Sequence, residues 1–353
     1  MSRNRWRLLG CIAAAALTAA AITAVTPETS VAPVAADTCA TKPRPAGKVL
    51  QGYWENWDGA KNGVHPPYGW QPISSDDFPS HGYNVINAAF PVILSDGTAL
   101  WEDGMDSTVQ VGTPAQMCEA KAKGATILMS IGGAAAGIDL NSSATADKFV
   151  STIVPILKKY NFDGIDIDIE TGLAGGSSAT QLSPSQSNLI RIIDGVLAAM
   201  PAGFGLTMAP ETAYVTGGSV TYGSIWGAYL PIIKKYADNG RLWWLNMQYY
   251  NGSMYGCSGD SYSAGTVQGF TVQTQCLAKG LTAGGITLTL PLDKQVPGLP
   301  AQSGAGGGYM SPGLVSQAYQ SVPGLKGLMT WSANWDGSRN WTFGNNVKAL
   351  QGR

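Results

Sequence analysis

Charged side chains are scarce in this sequence of 353 residues: they make up 13% of it, and the formal net charge is −1. Binding to nucleic acid or to an anionic membrane surface calls for a basic patch or stripe, and this composition has no excess of basic residues to form one. Tryptophan and tyrosine are plentiful instead, at 11 and 14 residues. Their flat apolar faces suit neutral sugar rings, although core packing could also use many of them.

Metal-binding patterns are absent as well. The only histidines are His65 and His81, and no C-x-x-C pair occurs. Zinc sites usually combine such residues at short spacings, so we predict no metal and no other cofactor. The first predicted strand is not followed by a G-x-G-x-x-G motif, which argues against an open dinucleotide-binding sheet.

The amino-terminal residues are typical of a secretory signal peptide. Three arginines precede an apolar, alanine-rich run at 8–25, and Val34 and Ala36 suit the −3 and −1 positions of a cleavage site. An uncleaved membrane anchor is the alternative, but the run is weakly hydrophobic. We therefore predict a signal peptide at 1–36 and one secreted, monomeric catalytic domain at 37–353, with no membrane association after cleavage.

Four of the five cysteines lie in the predicted mature chain. An even number in an exported protein predicts two disulfides. Cys257–Cys276 would close a local loop, and Cys39–Cys118 would tie the amino-terminal segment to an early helix. The sequence leaves the other pairings open.

Apolar, strand-like runs alternate with helical stretches along the chain. The predicted strands are 48–54, 84–92, 126–131, 164–170, 205–209, 242–248, 286–291 and 327–331. The predicted helices are 114–123, 144–160, 184–200, 225–238, 267–279 and 312–320. Eight strands in this rhythm predict an α/β fold, a single (β/α)8 TIM barrel, although a doubly wound open sheet has the same rhythm.

Four acids interleaved with isoleucines stand out at 163–170. Side chains alternate along a strand, so Asp166, Asp168 and Glu170 share one face at intervals of roughly 6.6–7 Å. Carboxyl groups that close in a partly buried site cannot all ionise, so at least one keeps a proton. Glu170 at the end of the row is thus a candidate general acid.

Two other interpretations of the acidic run fit poorly. A calcium-binding loop starting at Asp166 would need Gly and Glu where Thr171 and Ser177 stand. An exposed acidic edge strand would not interleave three isoleucines, which require a buried opposite face.

The pattern D-x-x-D-x-D-x-E, filled by Asp163, Asp166, Asp168 and Glu170, resembles the signature of family 18 glycoside hydrolases, the chitinases. Ser130 to Gly133 is similar to the S-x-G-G element of that family, and Gln248 to Asn251 is similar to its Q-x-Y-N element. Such glycines would allow the backbone to approach the acid strand closely. The resemblance implies hydrolysis of chitin or N-acetylglucosamine oligosaccharides at the carboxyl ends of the barrel strands.

The resemblance also implies a retaining, substrate-assisted mechanism, an exception to the usual pair of opposed carboxyl groups. The acetamido oxygen of the substrate would attack its own anomeric carbon and form an oxazolinium ion. Glu170 would be the acid and base, Asp168 would stabilise the ion, and Asp166 would share a proton with Asp168. Tyr250 would donate its hydroxyl to the acetamido oxygen.

The other implied contacts are with the reacting sugar. Gln248 would help to hold the acetamido group, Trp331 would form the floor of the site, and Tyr53 and Met208 would form its walls. Asn251 stands where other branches of the family have aspartate, which removes one negative charge from the substrate-binding site.

Only 20 residues, 292–311, separate the predicted seventh strand from its helix. That gap leaves no room for a large inserted domain, so we predict an open cleft and internal cleavage. Two alternatives remain: an endo-β-N-acetylglucosaminidase acting on N-glycans, and a non-catalytic chitin-binding lectin on the same barrel. Lectins of this kind usually lack the acid that Glu170 provides here.

Overall fold

The computed structural model describes residues 37–59, 68–134 and 137–353. The predicted signal peptide and His65 lie outside these residues. The strands are β1 (Val49–Glu55), β2 (Val85–Ala89), β3 (Val92–Ile93), β4 (Ala99–Leu100), β5 (Thr126–Gly132), β6 (Gly164–Asp168), β7 (Gly205–Met208), β8 (Trp244–Leu245), β9 (Ser253–Tyr255), β10 (Ser261–Ser263), β11 (Leu281–Ala283), β12 (Ile286–Leu288), β13 (Gly298–Pro300) and β14 (Gly327–Trp331).

Most helices of the described residues lie between successive barrel strands, and the last two follow β14. They are α1 (Asp77–Ser80), α2 (Pro114–Ala122), α3 (Ser143–Lys159), α4 (Pro184–Ala199), α5 (Ala213–Val220), α6 (Leu230–Asp238), α7 (Val267–Lys279), α8 (Pro312–Ser321), α9 (Ala333–Gly337) and α10 (Thr342–Leu350). Capping boxes at Thr113 and Ser183 start α2 and α4, because each side chain accepts a hydrogen bond from a backbone N–H of the first turn. None of the described helices is long and apolar enough to cross a membrane.

Eight parallel strands form the central sheet, in the order β13-β14-β1-β2-β5-β6-β7-β8. Parallel bridges from Leu245 to Gln295 and from Gln248 to Gly298 join the last strand to the first. The sheet therefore closes on itself, and the predicted (β/α)8 barrel is confirmed. In such a barrel the carboxyl ends of all the strands open onto one face.

The predicted seventh strand is wrong. Residues 286–291 contain β12, which pairs antiparallel with β11 in a separate hairpin, and the barrel strand is β13. Gly284 and Gly285, both with positive φ, make the two-residue turn of that hairpin. The true strand has only three residues, Gly298, Leu299 and Pro300, and carries almost none of the β-branched signal that identifies strands.

Side-chain alternation along the strands separates two environments. Side chains on the outer face of the strands, such as those of Leu50 and Trp54, pack between the sheet and the helices in a large apolar core. Near the amino-terminal ends of the strands, the barrel interior is filled by a smaller apolar cluster that includes Val49, Val85 and Leu128. Polar side chains replace apolar ones further up the interior, towards the carboxyl ends of the strands.

A buried ion pair anchors the barrel next to the amino-terminal end of β6. The Nζ atom of Lys121 on α2 lies 2.7 Å from Oδ1 of Asp163, and both side chains are almost fully buried. The backbone N–H groups of Lys42 and Ile127 also donate to the Asp163 carboxylate, at 2.7 and 2.9 Å. Burial raises the pKa of Asp163, and these donors oppose that rise. The first acid of the motif therefore holds the fold together.

The two predicted disulfides are both formed. Cys39 is bonded to Cys118 on α2, and Cys257 is bonded to Cys276 on α7. The first bond holds the amino-terminal segment beside the Lys121–Asp163 pair.

Removal of one partner of this buried pair is expected to destabilise the fold strongly. Lys121→Met leaves the Asp163 charge uncompensated, which typically costs about 3–5 kcal/mol. Lys123→Met is the matched control, because Lys123 pairs with Asp76 and Glu119 at the surface and such pairs contribute about 1 kcal/mol or less. Urea unfolding of the three proteins measures the difference, and equal losses in the two variants would contradict the account.

Candidate active site

Asp166 lies in the polar layer of the barrel interior and accepts four hydrogen bonds. The donors are Tyr53 Oη at 2.7 Å, Ser130 Oγ at 2.9 Å, Thr207 Oγ1 at 2.6 Å and Asn246 Nδ2 at 2.9 Å. They come from β1, β5, β7 and the residue after β8. Burial raises the pKa of Asp166, and these hydrogen bonds oppose the rise by stabilising the carboxylate.

Asp168 and Glu170 form a pair above Asp166. Both carboxyl groups lie within 3.0 Å of the same amide nitrogen, that of Gln248, so they are close neighbours. Two carboxyl groups this close in a buried site do not readily ionise together, because each charge opposes the other. The open end of the row is therefore the place where a proton is retained most readily.

Gln248 is the third member of this group. Its Nε2 atom lies 3.0 Å from Oδ1 of Asp168, 3.0 Å from Oε1 of Glu170 and 3.1 Å from the carbonyl oxygen of Ala209. A single amide group thus orients both carboxyl groups and connects them to the end of β7.

The pKa values of the pair are shifted upwards. Burial is the main cause for Asp168, followed by the charges of Glu170 and Asp166, and its pKa lies well above the ordinary range. Burial also raises the pKa of Glu170, whereas the hydrogen bonds with Gln248 and Asp168 oppose this rise. The pair can therefore hold a proton at a pH where an exposed carboxyl group would have lost it.

The two glycines after Ser130 bring the neighbouring strand against the acids, as the sequence predicts. A Cβ atom on Gly132 would lie 2.2 Å from the carbonyl oxygen of Asp168, and its φ is +118°. The N–H of Gly133 donates to the same oxygen at 2.7 Å. Any larger residue at position 132 would push β5 away from β6.

A cavity of about 160 Å³ opens beside the acid pair at the carboxyl ends of the strands. It is lined by Phe90, Gly133, Ala134, Asp168, Glu170, Gln248, Tyr250, Asn251, Ala305 and Trp331. The rings of Phe90 and Trp331 are stacked, with centroids 6.0 Å apart and an interplanar angle of 16°. A cavity lined by both acids and aromatic rings suits a ring with polar edges and apolar faces.

Tyr250 and Asn251 occupy the rim on the β8 side. Burial and the nearby carboxyl charges raise the pKa of Tyr250 well above its ordinary value, so its hydroxyl remains protonated and can donate. Asn251 Oδ1 accepts a hydrogen bond from the N–H of Gly307 at 2.7 Å. Asn251 thereby fastens the loop after β13 to the rim.

Two predicted wall residues do not line this cavity. Tyr53 points into the barrel below it, where its hydroxyl binds Asp166 and its ring lies 5.4 Å from that of Trp331. The expected role of Met208 as a wall of the site is corrected, because its side chain is fully buried in the core between the sheet and the helices. Alternation along β7 turns Thr207 inwards and Met208 outwards, so Met208 cannot form a wall of the site.

Several residues of the site were missed by sequence reasoning. Thr207 and Asn246 complete the donors around Asp166, and Phe90 forms half of the aromatic stack. Their position along the chain was the available signal, because each residue lies near the carboxyl end of a barrel strand or just after it. Thr207 and Asn246 also alternate with buried apolar neighbours, as inward-facing strand residues do.

A closed parallel barrel with a buried carboxyl pair at its open face defines the class: an enzyme with acid–base chemistry. The family model for glycosyl hydrolases family 18 matches residues 49–238. The chain belongs to this family and is a glycoside hydrolase.

Relatives and solved structures agree with this assignment. The chain is 77% identical over 313 residues to Endochitinase 4 of Metarhizium robertsii, covering 88% of this chain and 91% of the relative. It is 78% identical over 313 residues to Endochitinase 37 of Trichoderma harzianum, covering 88% and 93%. A family GH18 chitinase structure from Chromobacterium violaceum has a TM-score of 0.73 at 30% identity, covering 87% of this chain and 84% of that one.

Gln248→Met is expected to move the alkaline limb of the pH–activity profile upwards. The hydrogen bonds of Gln248 lower the pKa of both carboxyl groups. Without them both pKa values rise further, and the proton needed for acid catalysis is lost only at a higher pH. A hydrogen bond to a charged group contributes about 1.5–3 kcal/mol, so we expect a shift of about one pH unit.

The measurement is kcat/KM against pH with a soluble chitooligosaccharide. Gln320→Met, at an exposed position on α8, is the matched control and should leave the limb in place. An unmoved or lowered limb in Gln248→Met would contradict the proposed electrostatics.

Proposed function

We propose that the protein is a secreted endochitinase that hydrolyses internal β-1,4 linkages between N-acetylglucosamine units of chitin. The observation that carries this proposal is the Asp168–Glu170 pair, both members of which accept from Gln248, beside a cavity lined by Phe90 and Trp331. The names of the two fungal relatives, both endochitinases, support the same substrate.

Substrate-assisted chemistry suits this arrangement. Among the described residues, Asp168 and Glu170 are the only carboxyl groups that line the cavity, and Glu170 follows Asp168 by two residues at the end of β6. Glu55, another inward-facing carboxyl group, is fully buried and accepts a hydrogen bond from Ser332 Oγ. A separate carboxylate nucleophile across the sugar is therefore lacking at this cavity, and the acetamido group of the substrate supplies the nucleophile.

Each group then has a defined step. Glu170 gives its proton to the glycosidic oxygen as the bond to the anomeric carbon breaks, and later takes a proton from the attacking water. Asp168 accepts a hydrogen bond from the acetamido N–H and stabilises the positive charge of the oxazolinium ion. Tyr250 donates its hydroxyl to the acetamido oxygen and aligns it for attack. Asp166 stays below them as a fixed negative charge. The resemblance implies that it shares a proton with Asp168, but we assign it no proton, because four hydrogen bonds stabilise its carboxylate.

The loop after the seventh barrel strand supports internal cleavage. With the strand corrected to β13, only residues 301–311 connect it to α8. Such a connection is too short to build a wall over the site, so the chain of a polymer can cross the open face.

Export is supported by two independent features. One is the predicted signal peptide at 1–36, and the other is the pair of disulfides, which persist in oxidising compartments. We propose that the protein acts outside the cell as a monomer on chitin or its oligosaccharides.

Substitutions in the acid pair test the assigned roles. Glu170→Gln removes the transferable proton and should abolish turnover of a chitin hexamer, whereas Asp168→Asn should retain more activity because the acid itself remains. Removal of a catalytic acid typically costs about 100- to 10,000-fold. The readout is kcat for both variants, with thermal melting as the check on folding.

Equal losses in the two variants would contradict this division of labour. The parent enzyme is incubated in parallel with a high-mannose glycoprotein. Cleavage of the glycoprotein alone would assign the protein to the N-glycan-cleaving class, and turnover of neither substrate would favour a sugar-binding role.

A further inference from the structure

A fourth carboxyl group, that of Glu211, lies beside the acid pair and has no role in the mechanism above. Glu211 follows the end of β7 by three residues and forms a parallel backbone bridge with Gln248. Its carbonyl oxygen accepts a hydrogen bond from the N–H of Tyr214 at 3.1 Å, and the Tyr214 hydroxyl donates to the carbonyl oxygen of Glu170 at 2.8 Å. These backbone contacts fix Glu211 next to Gln248 and Tyr214, the two residues that donate hydrogen bonds to Glu170.

Glu211 adds negative charge without a basic partner. Its side chain is about half-buried, and the groups acting on it are all acidic or neutral: burial and the charge of Glu170 raise its pKa. Glu211 in turn contributes to the raised pKa values of Asp168, Tyr214 and Tyr250. Among the described residues, no lysine, arginine or histidine lines the cavity.

The position of Glu211 relative to Glu170 indicates which sugar it would meet. Glu170 protonates the oxygen between the reacting sugar and the leaving chain, so the leaving sugar lies beyond Glu170 as seen from the cavity. Glu211 adjoins Glu170 but is not among the residues that line the cavity holding the reacting ring. Of the two sugars joined by the bond that breaks, the leaving sugar is therefore the one left for Glu211 to meet.

A glucosamine unit of the substrate would bind more favourably next to this negative charge than an acetylated unit would. Loss of the acetyl group leaves an amine that is protonated in mildly acidic solution, and a carboxylate attracts an ammonium group. The reacting sugar itself must keep its acetamido group, because that group is the nucleophile. Selection for glucosamine is thus possible only outside the cavity.

We propose that Glu211 is a specificity-determining residue that favours a protonated glucosamine unit on the leaving-group side, so that the enzyme prefers partly deacetylated chitin with acetylated and deacetylated units in sequence. This inference rests on the proposed chitinase function and extends it to the substrate's acetylation pattern.

The test compares Glu211→Gln with the parent on two substrates: a fully acetylated chitin hexamer and a hexamer-length chitosan fraction of defined partial acetylation. Because burial and the charge of Glu170 raise the pKa of Glu211, the assays are run at about pH 5, 6 and 7, and the parent's preference for chitosan should grow as Glu211 ionises. Glu211→Gln should lower the ratio of kcat/KM on chitosan to kcat/KM on chitin about fivefold, the effect of one charge pair at about 4 Å in water. The difference should shrink at 1 M salt, where the Debye length is about 3 Å.

Two further variants keep the result interpretable. Glu211→Asp retains the charge and should restore most of the ratio, and Glu102→Gln removes an exposed glutamate elsewhere and should leave it unchanged. Mass spectrometry of the products should show glucosamine enriched at the new non-reducing ends in the parent and not in Glu211→Gln.

An unchanged ratio in Glu211→Gln, or an equal fall in Glu102→Gln, would overturn the proposal. So would glucosamine enrichment at the new reducing ends. Failure of the proposed function looks different, since the parent would then cleave neither hexamer.

Discussion

The architecture of the site depends on a buried carboxylate, that of Asp166, and on the four neutral donors that surround it. An isolated charge in the interior of a barrel would be very unfavourable, but hydrogen bonds from four separate segments compensate for the lost water. Because those donors come from different strands, the same contacts also fix the relative register of the strands. Asp166 thus organises the layer on which the reactive groups stand.

The acidic motif divides its functions along a single strand. Asp163 at the start of the motif is held by Lys121 and by backbone N–H groups, and it secures the closed end of the barrel. Asp168 and Glu170 lie at the other end, at the mouth, where burial raises the pKa of both. Asp163 and Asp168 are only five positions apart, so an acid's position along the strand decides whether it has a structural or a chemical role.

Much of this arrangement could be predicted from the sequence, because the relevant signals are local. Alternation put Asp166 and Asp168 on one face, the glycines at 132 and 133 indicated a close strand approach, and the even cysteine count indicated two disulfides. Long-range contacts gave no such signal. The four donors of Asp166 meet only when the barrel closes, and the stacking of Phe90 on Trp331 joins residues more than two hundred positions apart.

The two errors have related causes. Residues 286–288 have the apolar alternation of a strand and do form one, but their Gly-Gly turn makes a hairpin, whereas the short barrel strand with Gly298 and Pro300 has little strand character. The family resemblance places Met208 in the site, but its parity along β7 turns it away from the barrel interior. A shift of one residue along a strand moves a side chain from the interior to the helices.

The central claim is that the anomeric carbon is attacked twice, first by the acetamido group of the substrate and then by water, so that configuration is retained. The most direct measurement is the anomeric form of the first product, followed by proton NMR within minutes of mixing enzyme with a chitin tetramer. The account predicts that the newly formed reducing end appears first as the β-anomer, with the α-anomer arising only by slow mutarotation. Initial release of the α-anomer would contradict it.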